Sequence, residues 1–417
     1  VLIGAAFLLI LLYYFSGWIF SYYRLDDELF IVFVDTKLAL HGMNPYNTSI
    51  EQLLYSNFTN KNTTSVTLTT KNYIESVLNY PALFLYSFVP FYFVSPPTLY
   101  NLTHFDLEYQ AGIFAFIMLL VMAFSVDKKH LEKPIYAIIV FLALGVSYIA
   151  SIATYLMLTL LMLAYLKLES KWSWVFLGLC VSIQEELWLP VLFLILYSLN
   201  NHGLKKGIYD IIGAAAVFLV INSYFIMLNP HAFFTAVLDP IENFLLPNSS
   251  AAFGFFVVAD YHVLLNSFSA VFKLVVLLFS LFFFYFNRKR LVGLFGMLPL
   301  FFLSHAIPVY YTFFATFTVV TVFMKDEKTK GYGMFGNYFR KNKPVFYGLV
   351  ALMILAILVI FYQSHNAYVR EFNISVTNAS LSFVQAKNGT YGTLYSADLP
   401  GNSVDKEPDR IVAQVVV

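Results

Sequence analysis

Long apolar runs separated by short polar segments dominate this chain, and their lengths set the elements it predicts. Runs on the scale of one bilayer crossing, about 20 residues, lie at 1–20, 107–126, 134–150, 151–166, 208–228, 268–286 and 344–363. Two longer runs, 172–199 and 291–324, read as hairpins. Backbone polar groups in lipid must be satisfied within the segment, so every crossing is expected to be helical, about eleven in all. The run from Pro81 to Pro97 is short and bounded by proline. A full crossing there would exchange the sides of Asn101 and Lys128, so it reads as re-entrant or interfacial. Residues 1–363 therefore form one all-α polytopic bundle with polar loops at 21–80 and 229–267, followed by an appendage at 364–417. Alternation at Ile374-Ser375-Val376-Thr377 and again from Arg410 to Val417, with Gly and Asn turns between, gives the appendage a β-rich character. The last residues are valines that break off in mid-strand, so the natural chain is expected to continue. The first apolar run has neither a basic leader nor a small-residue cleavage site and reads as a retained span, trimmed of its initiator Met.

Composition agrees with a membrane setting. Hydrophobic residues make up 59% and charged residues only 12% of the chain, with a mean hydropathy of +0.72, too little polar surface to cover a soluble globule of this length. A net charge of +1 excludes the concentrated basic face that nucleic acid requires. The lone cysteine, Cys180, leaves no intrachain disulfide to form.

Charge orients the bundle. Lys and Arg cluster at 127–133, 167–171, 205–206, 287–290 and 325–343, which the positive-inside rule makes cytoplasmic. Asn-x-Ser/Thr triplets at Asn47, Asn57, Asn62, Asn101, Asn248, Asn373, Asn378 and Asn388 all fall in the other segments, as expected of external glycan acceptors. Both patterns put the N-terminus inside and residues 364–417 outside. An archaeal plasma membrane or an endoplasmic-reticulum-type membrane fits so many external sequons.

Candidate chemistry begins just beyond the first span, with Arg24-Leu25-Asp26-Asp27-Glu28, followed by His41-Gly42-Met43-Asn44-Pro45-Tyr46. Adjacent carboxylates against an apolar wall are costly unless solvated or paired, and their basicity rises there. The apolar stretch between the two motifs reads as an interfacial helix over 27–40, on which Glu28 and Asp35 share a face. A second acidic cluster, Gln184-Glu185-Glu186, lies in mid-run in 172–199. Each half of that hairpin, about fourteen residues, rises about 21 Å, short of the roughly 30 Å hydrocarbon core. Its tip therefore carries charge below the external surface, where it lines a cavity or pairs. His41, His104, His231, His262 and His305 lack metal-ligand spacing. His305, at the apex of 291–324 and followed by Pro308-Val309-Tyr310-Tyr311, is the one placed to face a cavity.

Asp27-Glu28, then Gly42-Met43-Asn44-Pro45-Tyr46, then Tyr80-Pro81-Ala82-Leu83 opening an apolar run resembles the start of the GT-C superfamily of integral-membrane glycosyltransferases. The resemblance continues through Asn229-Pro230-His231, Asp239-Pro240 and Leu246-Pro247, over about three quarters of the chain, with the specific residues in the first block. It implies transfer of a hexose or pentose from a polyprenyl (dolichyl-type) phosphate carrier, as in mannosyltransferase-like enzymes, to a glycan, lipid or protein acceptor outside the membrane, with inversion. It also implies an acidic general base in the first external loop, which falls on Asp27 with Asp26 and Glu28 beside it. Arg24 and Lys37 are the nearby cations for the leaving phosphate, although Arg24 equally suits an interfacial anchor. Asn44, Tyr46, Gln184, Glu185, Glu186 and His305 are the substrate-contact candidates. A divalent cation, Mg2+ or Mn2+, held by Asp26, Asp27 and Glu28 is the alternative to side-chain cations, and the sequence does not decide between them. Relatives often carry a basic residue near position 184, ahead of a proline such as Pro190; this chain has Gln184-Glu185-Glu186 there. The Trp-Trp-Asp-Tyr-Gly string of the oligosaccharyltransferase branch is absent. Two further readings stand beside the enzyme: a secondary transporter using Glu185 and Glu186, and a non-catalytic membrane scaffold.

Overall fold

The structure, a computed structural model, describes residues 27–52, 68–69, 76–94, 105–126, 154–242, 244–245, 261–302, 308–324, 331–372, 378–386 and 389–398. It is predominantly helical. In chain order the helices are α1 Asp27–Leu40, α2 Ala82–Val94, α3 Phe105–Ser125, α4 Thr154–Lys167, α5 Ser173–Val181, α6 Trp188–His202, α7 Leu204–Leu228, α8 Pro230–Glu242, α9 Tyr261–Phe286, α10 Val292–Met297, α11 Pro308–Phe323, α12 Gly333–Lys341 and α13 Lys343–Phe372. Short 3-10 turns precede α6 (Glu185–Leu187) and flank α10 (Lys289–Leu291, Leu298–Phe302). A ribbon pairs β1 (Leu68–Thr69) with β2 (Phe244–Leu245), and β3 (Asn378–Ala386) pairs antiparallel with β4 (Gly389–Asp398).

Helices stand where the apolar runs predict them, with shorter lengths in several places. Among the described residues, two helices are long and apolar enough to cross a membrane, Leu204–Leu228 and Lys343–Gln363. The apolar stretches Ile113–Ser125, Thr154–Lys167, Ala270–Phe286 and Phe313–Phe323 are shorter. The expected spans at 1–20 and 134–150 lie outside the described residues. The proline-bounded run becomes the 13-residue α2, with Pro90 inside it. Strands in the appendage fall on 378–386 and 389–398, and the alternating stretches at 374–377 and 410–417 lie outside the described residues. In their hairpin Ala386 faces Gly389 and Asn378 faces Asp398.

The main core joins buried side chains of α2 to α6 with those of α9 to α11, including Phe84, Met118, Leu161, Phe193, Phe283 and Phe314. Helix α7 crosses α5 so closely that a Cβ on Gly178 would lie 2.4 Å from the Val217 Cβ and 2.9 Å from the Ala214 carbonyl oxygen. Gly178→Val is expected to lose about 1–3 kcal/mol through overpacking, whereas Gly348→Ala, with nothing within 4 Å on the outer helix α13, should be neutral or stabilising by up to about 1 kcal/mol. Thermal unfolding of the two purified variants in detergent checks the contrast.

The bundle has two chemically distinct ends. At one, Asn200 Nδ2 donates to the Tyr332 carbonyl and Asn200 Oδ1 accepts from the Phe335 N–H. Asn201 and Asn287 exchange side-chain hydrogen bonds, the Lys289 ammonium sits 4.4 Å from the Tyr165 ring centre, and Val126 bridges Met324. These contacts bring Asn287 and Lys289 of one basic cluster and Tyr332 and Phe335 of another together with the C-terminal ends of α4 and α6. At the other end lie residues 44–50 and 76–81, the turn between α5 and α6, and the junction of α7 with α8.

Candidate functional site

The Gly42-Met43-Asn44-Pro45-Tyr46 motif acts as a stop and a turn, and each of its residues has a local physical reason. Gly42 adopts φ +78° and ends α1: its N–H donates to the Ala39 carbonyl and the Met43 N–H to the Leu38 carbonyl, the paired closure that a left-handed residue permits. Asn44 then folds back, its Oδ1 accepting the Tyr46 N–H and its carbonyl accepting the Asn47 N–H, with Pro45 supplying the preset φ of a turn. The turn delivers Tyr46 into a pocket of rings. Its centroid lies 5.1 Å from that of Phe225 and 4.8 Å from that of Phe233, both edge-on, and its hydroxyl donates to the Tyr80 carbonyl at 2.7 Å. Burial holds the Tyr46 phenol well above its usual pKa, and the charges of Tyr86 and Asp35 push it further up.

Tyr80-Pro81 is the entry to α2, whose first N–H groups have no partner within the helix. Two distant segments supply them: Asn222 Oδ1 of α7 accepts from Ala82 at 2.7 Å, and the Ser182 carbonyl accepts from Leu83 at 3.1 Å. Ser182 opens the turn between α5 and α6, so the acidic turn is pinned to the start of α2. Gln184 is extended there, Glu185–Leu187 form the 3-10 turn, and Trp188 Nε1 donates back to the Val181 carbonyl. Pro190 sits in the first turn of α6, where no intrahelical donor is lost.

Polar groups surround this junction although little of it reaches solvent. Gln184 is 2%, Glu185 8% and Glu186 6% exposed, and Gln184 Nε2 donates to Glu186 Oε1 at 3.2 Å. Asp35, on α1 where it packs against α2, is fully buried. Carboxylates of two separate elements thus stand around one helix entry, the first loop on one side and the acidic turn on the other. The ribbon of Leu68 with Leu245 and Thr69 with Phe244 ties the first loop to the segment after α8 as well.

Of the residues expected from sequence, Gln184, Glu185 and Glu186 meet the Asn44–Tyr46 turn through α2. Lys37 lies in the last turn of α1, where its carbonyl accepts from the His41 ring and backbone. Asn44 and Tyr46 place their polar atoms in the turn and on the Tyr80 carbonyl. Asp27 and Glu28 open α1, and their side chains lie outside the described residues, as do Arg24, Asp26 and His305 altogether. Asn47 is exposed beside the turn and Asn378 begins β3, while Asn57, Asn62, Asn101, Asn248, Asn373 and Asn388 lie outside the described residues. No group of three or more His, Cys, Asp or Glu side chains among the described residues is arranged to hold a metal ion.

Sequence reasoning passed over Asn222, Ser182 and the burial of Asp35. The signal available for Asn222 was a polar residue in mid-run in 208–228, where an amide needs a partner. Asn222→Ala removes the acceptor for a buried helix-entry N–H and is expected to cost about 1–2 kcal/mol. The exposed Ser223→Ala should stay within about 0.5 kcal/mol; SDS unfolding of both variants measures the difference. No family model matches the chain, and no curated protein or solved structure is similar to it.

Proposed function

We propose that this chain is a polytopic membrane glycosyltransferase that moves a sugar from a polyprenyl (dolichyl-type) phosphate carrier to an acceptor on the external face. One observation carries the reading. The three sequence blocks of the GT-C resemblance, remote from one another in the chain, come together through Tyr46 on Tyr80, Tyr46 against Phe233 and the β1–β2 ribbon. Described residues of the basic clusters, Asn287, Lys289 and Tyr332 among them, meet at the opposite end. That separation is what positive-inside topology asks of a protein whose acidic first loop and sequons are external. The exposed apolar surfaces of α7 and α13, including Val220, Met227, Leu352 and Leu358, suit a lipid surround.

In this reading the carboxylate of Asp27 takes the proton of the acceptor hydroxyl as its oxygen attacks the anomeric carbon. The bond to the carrier phosphate breaks on the opposite face, and its electron pair leaves with the polyprenyl phosphate, inverting the centre. Arg24 and Lys37, or a divalent cation on the acidic run, would offset the charge that develops on the phosphate. The buried Gln184-Glu185-Glu186 turn offers acceptor groups for sugar or acceptor hydroxyls. The same burial favours a second reading, a carboxylate site for proton-coupled or cation-coupled transport. Purified protein given a polyprenyl-phosphate sugar separates the two. Release of polyprenyl phosphate, dependent on an added acceptor, supports the enzyme. Absence of release from mannosyl, glucosyl and pentosyl donors, together with cation-driven uptake into vesicles, supports the transporter.

A further inference from the structure

The end of the bundle opposite the candidate site carries a surface for which the transfer reaction has no use. The two helices that are long and apolar enough to span a membrane among the described residues begin there, α7 at Leu204 and α13 at Lys343. Each opens with an exposed lysine followed one turn later by an exposed tyrosine: Lys205 with Tyr209, and Lys343 with Tyr347. A third pair stands beside the first. Lys171 is exposed, its ammonium 5.6 Å from the ring centre of Trp172, which is itself 55% exposed. Trp174 links the two pairs, donating from Nε1 to the Lys171 carbonyl and meeting the Tyr209 ring edge-on at 6.3 Å.

Among the described residues, no acid compensates the three exposed lysines. Of the nearby acids, Asp210 is fully buried and occupied by Lys206, and Glu169 faces His202 at 3.9 Å. Lys171, Lys205 and Lys343 take part in no ion pair among the described residues. Directly beyond the lysines along α7, Ile208, Ile211 and Ile212 turn apolar surface outward. A cation, an amphipathic ring and then an apolar strip, met in that order along a helix, match the phosphate, glycerol and acyl levels of one leaflet.

We propose that these three lysine–aromatic pairs bind anionic phospholipid headgroups, so that the basic end of the bundle gathers a shell of negatively charged lipid in its own leaflet. Lys171, Lys205 and Lys343 hold the phosphates; Trp172, Tyr209 and Tyr347 sit at the glycerol level; the apolar face of α7 receives acyl chains. The proposal rests on the membrane reading above and is independent of the sugar chemistry. It adds the lipid class that the protein selects.

The full chain is reconstituted into vesicles of phosphatidylcholine with 20 mol% phosphatidylglycerol, and two properties are measured: resistance to carbonate extraction, and the composition of lipid retained by native mass spectrometry after gentle delipidation. Wild type is expected to resist extraction and to retain phosphatidylglycerol several-fold above its bulk share. Each Lys→Gln change should lower that preference about five-fold at most, the scale of one basic residue near an anionic surface. The triple variant K171Q/K205Q/K343Q should resist extraction yet retain lipid at the bulk ratio, and K171R/K205R/K343R should restore the enrichment. An extraction-resistant wild type with a shell of bulk composition overturns the proposal and leaves the membrane reading standing. Ready extraction of wild type overturns both. An unchanged lipid shell in the glutamine variant, with loss of a dimeric mass, assigns the face to a second copy of the chain and overturns the lipid assignment.

Discussion

Asp27→Asn is expected to abolish sugar transfer, with a fall of about 10²–10⁴ in kcat and little change in donor KM. Asparagine keeps the size and hydrogen-bonding reach of the side chain but cannot accept a proton, so a general base is lost while sugar and lipid contacts survive. Position strengthens the expectation. Asp27 begins α1, the helix that Gly42 terminates before the Tyr46 turn, so the start and end of α1 are coupled to the entry of α2. Glu28→Gln, the adjacent carboxylate, should cost less than tenfold, and a tenfold or larger effect there would move the base by one residue. The measurement is polyprenyl phosphate released per enzyme under saturating acceptor. Equal release by wild type and Asp27→Asn would exclude Asp27 as the base, and divalent-cation titration of both proteins reports on the alternative in which the acidic run holds a metal.

Much of the helical arrangement was legible because an apolar run needs no tertiary partner to declare itself. The run at 107–126 becomes Phe105–Ser125, that at 208–228 becomes Leu204–Leu228, and that at 344–363 lies within Lys343–Phe372. The helix over 27–40 appears with those bounds, since Gly42 is a local stop signal. What escaped notice is polar and non-local. Asn222 declares itself only as an amide in an apolar run; that it caps Ala82, 140 positions away, is a matter of packing. Asp35 was visible as sharing a face with Glu28, but its complete burial depends on how α1 lies on α2. Sequence reasoning selected Asn44 and Tyr46 for substrate, and the fold uses their polar atoms to build the turn.

The largest loss of stability is expected from Asp210→Leu, at a residue that composition alone marks as one acid in an apolar run. Asp210 lies in the first turns of α7 and is fully buried, and both of its oxygens are engaged. Oδ1 accepts from the Ser173 hydroxyl of α5 at 2.5 Å and from the Lys206 ammonium at 2.5 Å; Oδ2 accepts from the Ser198 hydroxyl of α6 at 2.7 Å. Lys206 also donates to Ser173 Oγ. One carboxylate thereby joins three helices. Removing it strands two buried hydroxyls and a mostly buried ammonium, a cost of about 3–5 kcal/mol for a broken buried pair. Lys206 retains 21% exposure and can turn toward water, which draws the expectation to the lower end of that range. Lys206→Met alone should cost less, because both serine hydroxyls still satisfy the carboxylate. The double variant Asp210→Leu/Lys206→Met should be more stable than Asp210→Leu, since no unpaired charge remains. SDS unfolding of the four proteins gives the cycle. A double variant as unstable as the sum of its parts would mean that Asp210 acts through the serines alone, with the lysine a bystander at the mouth of the bundle.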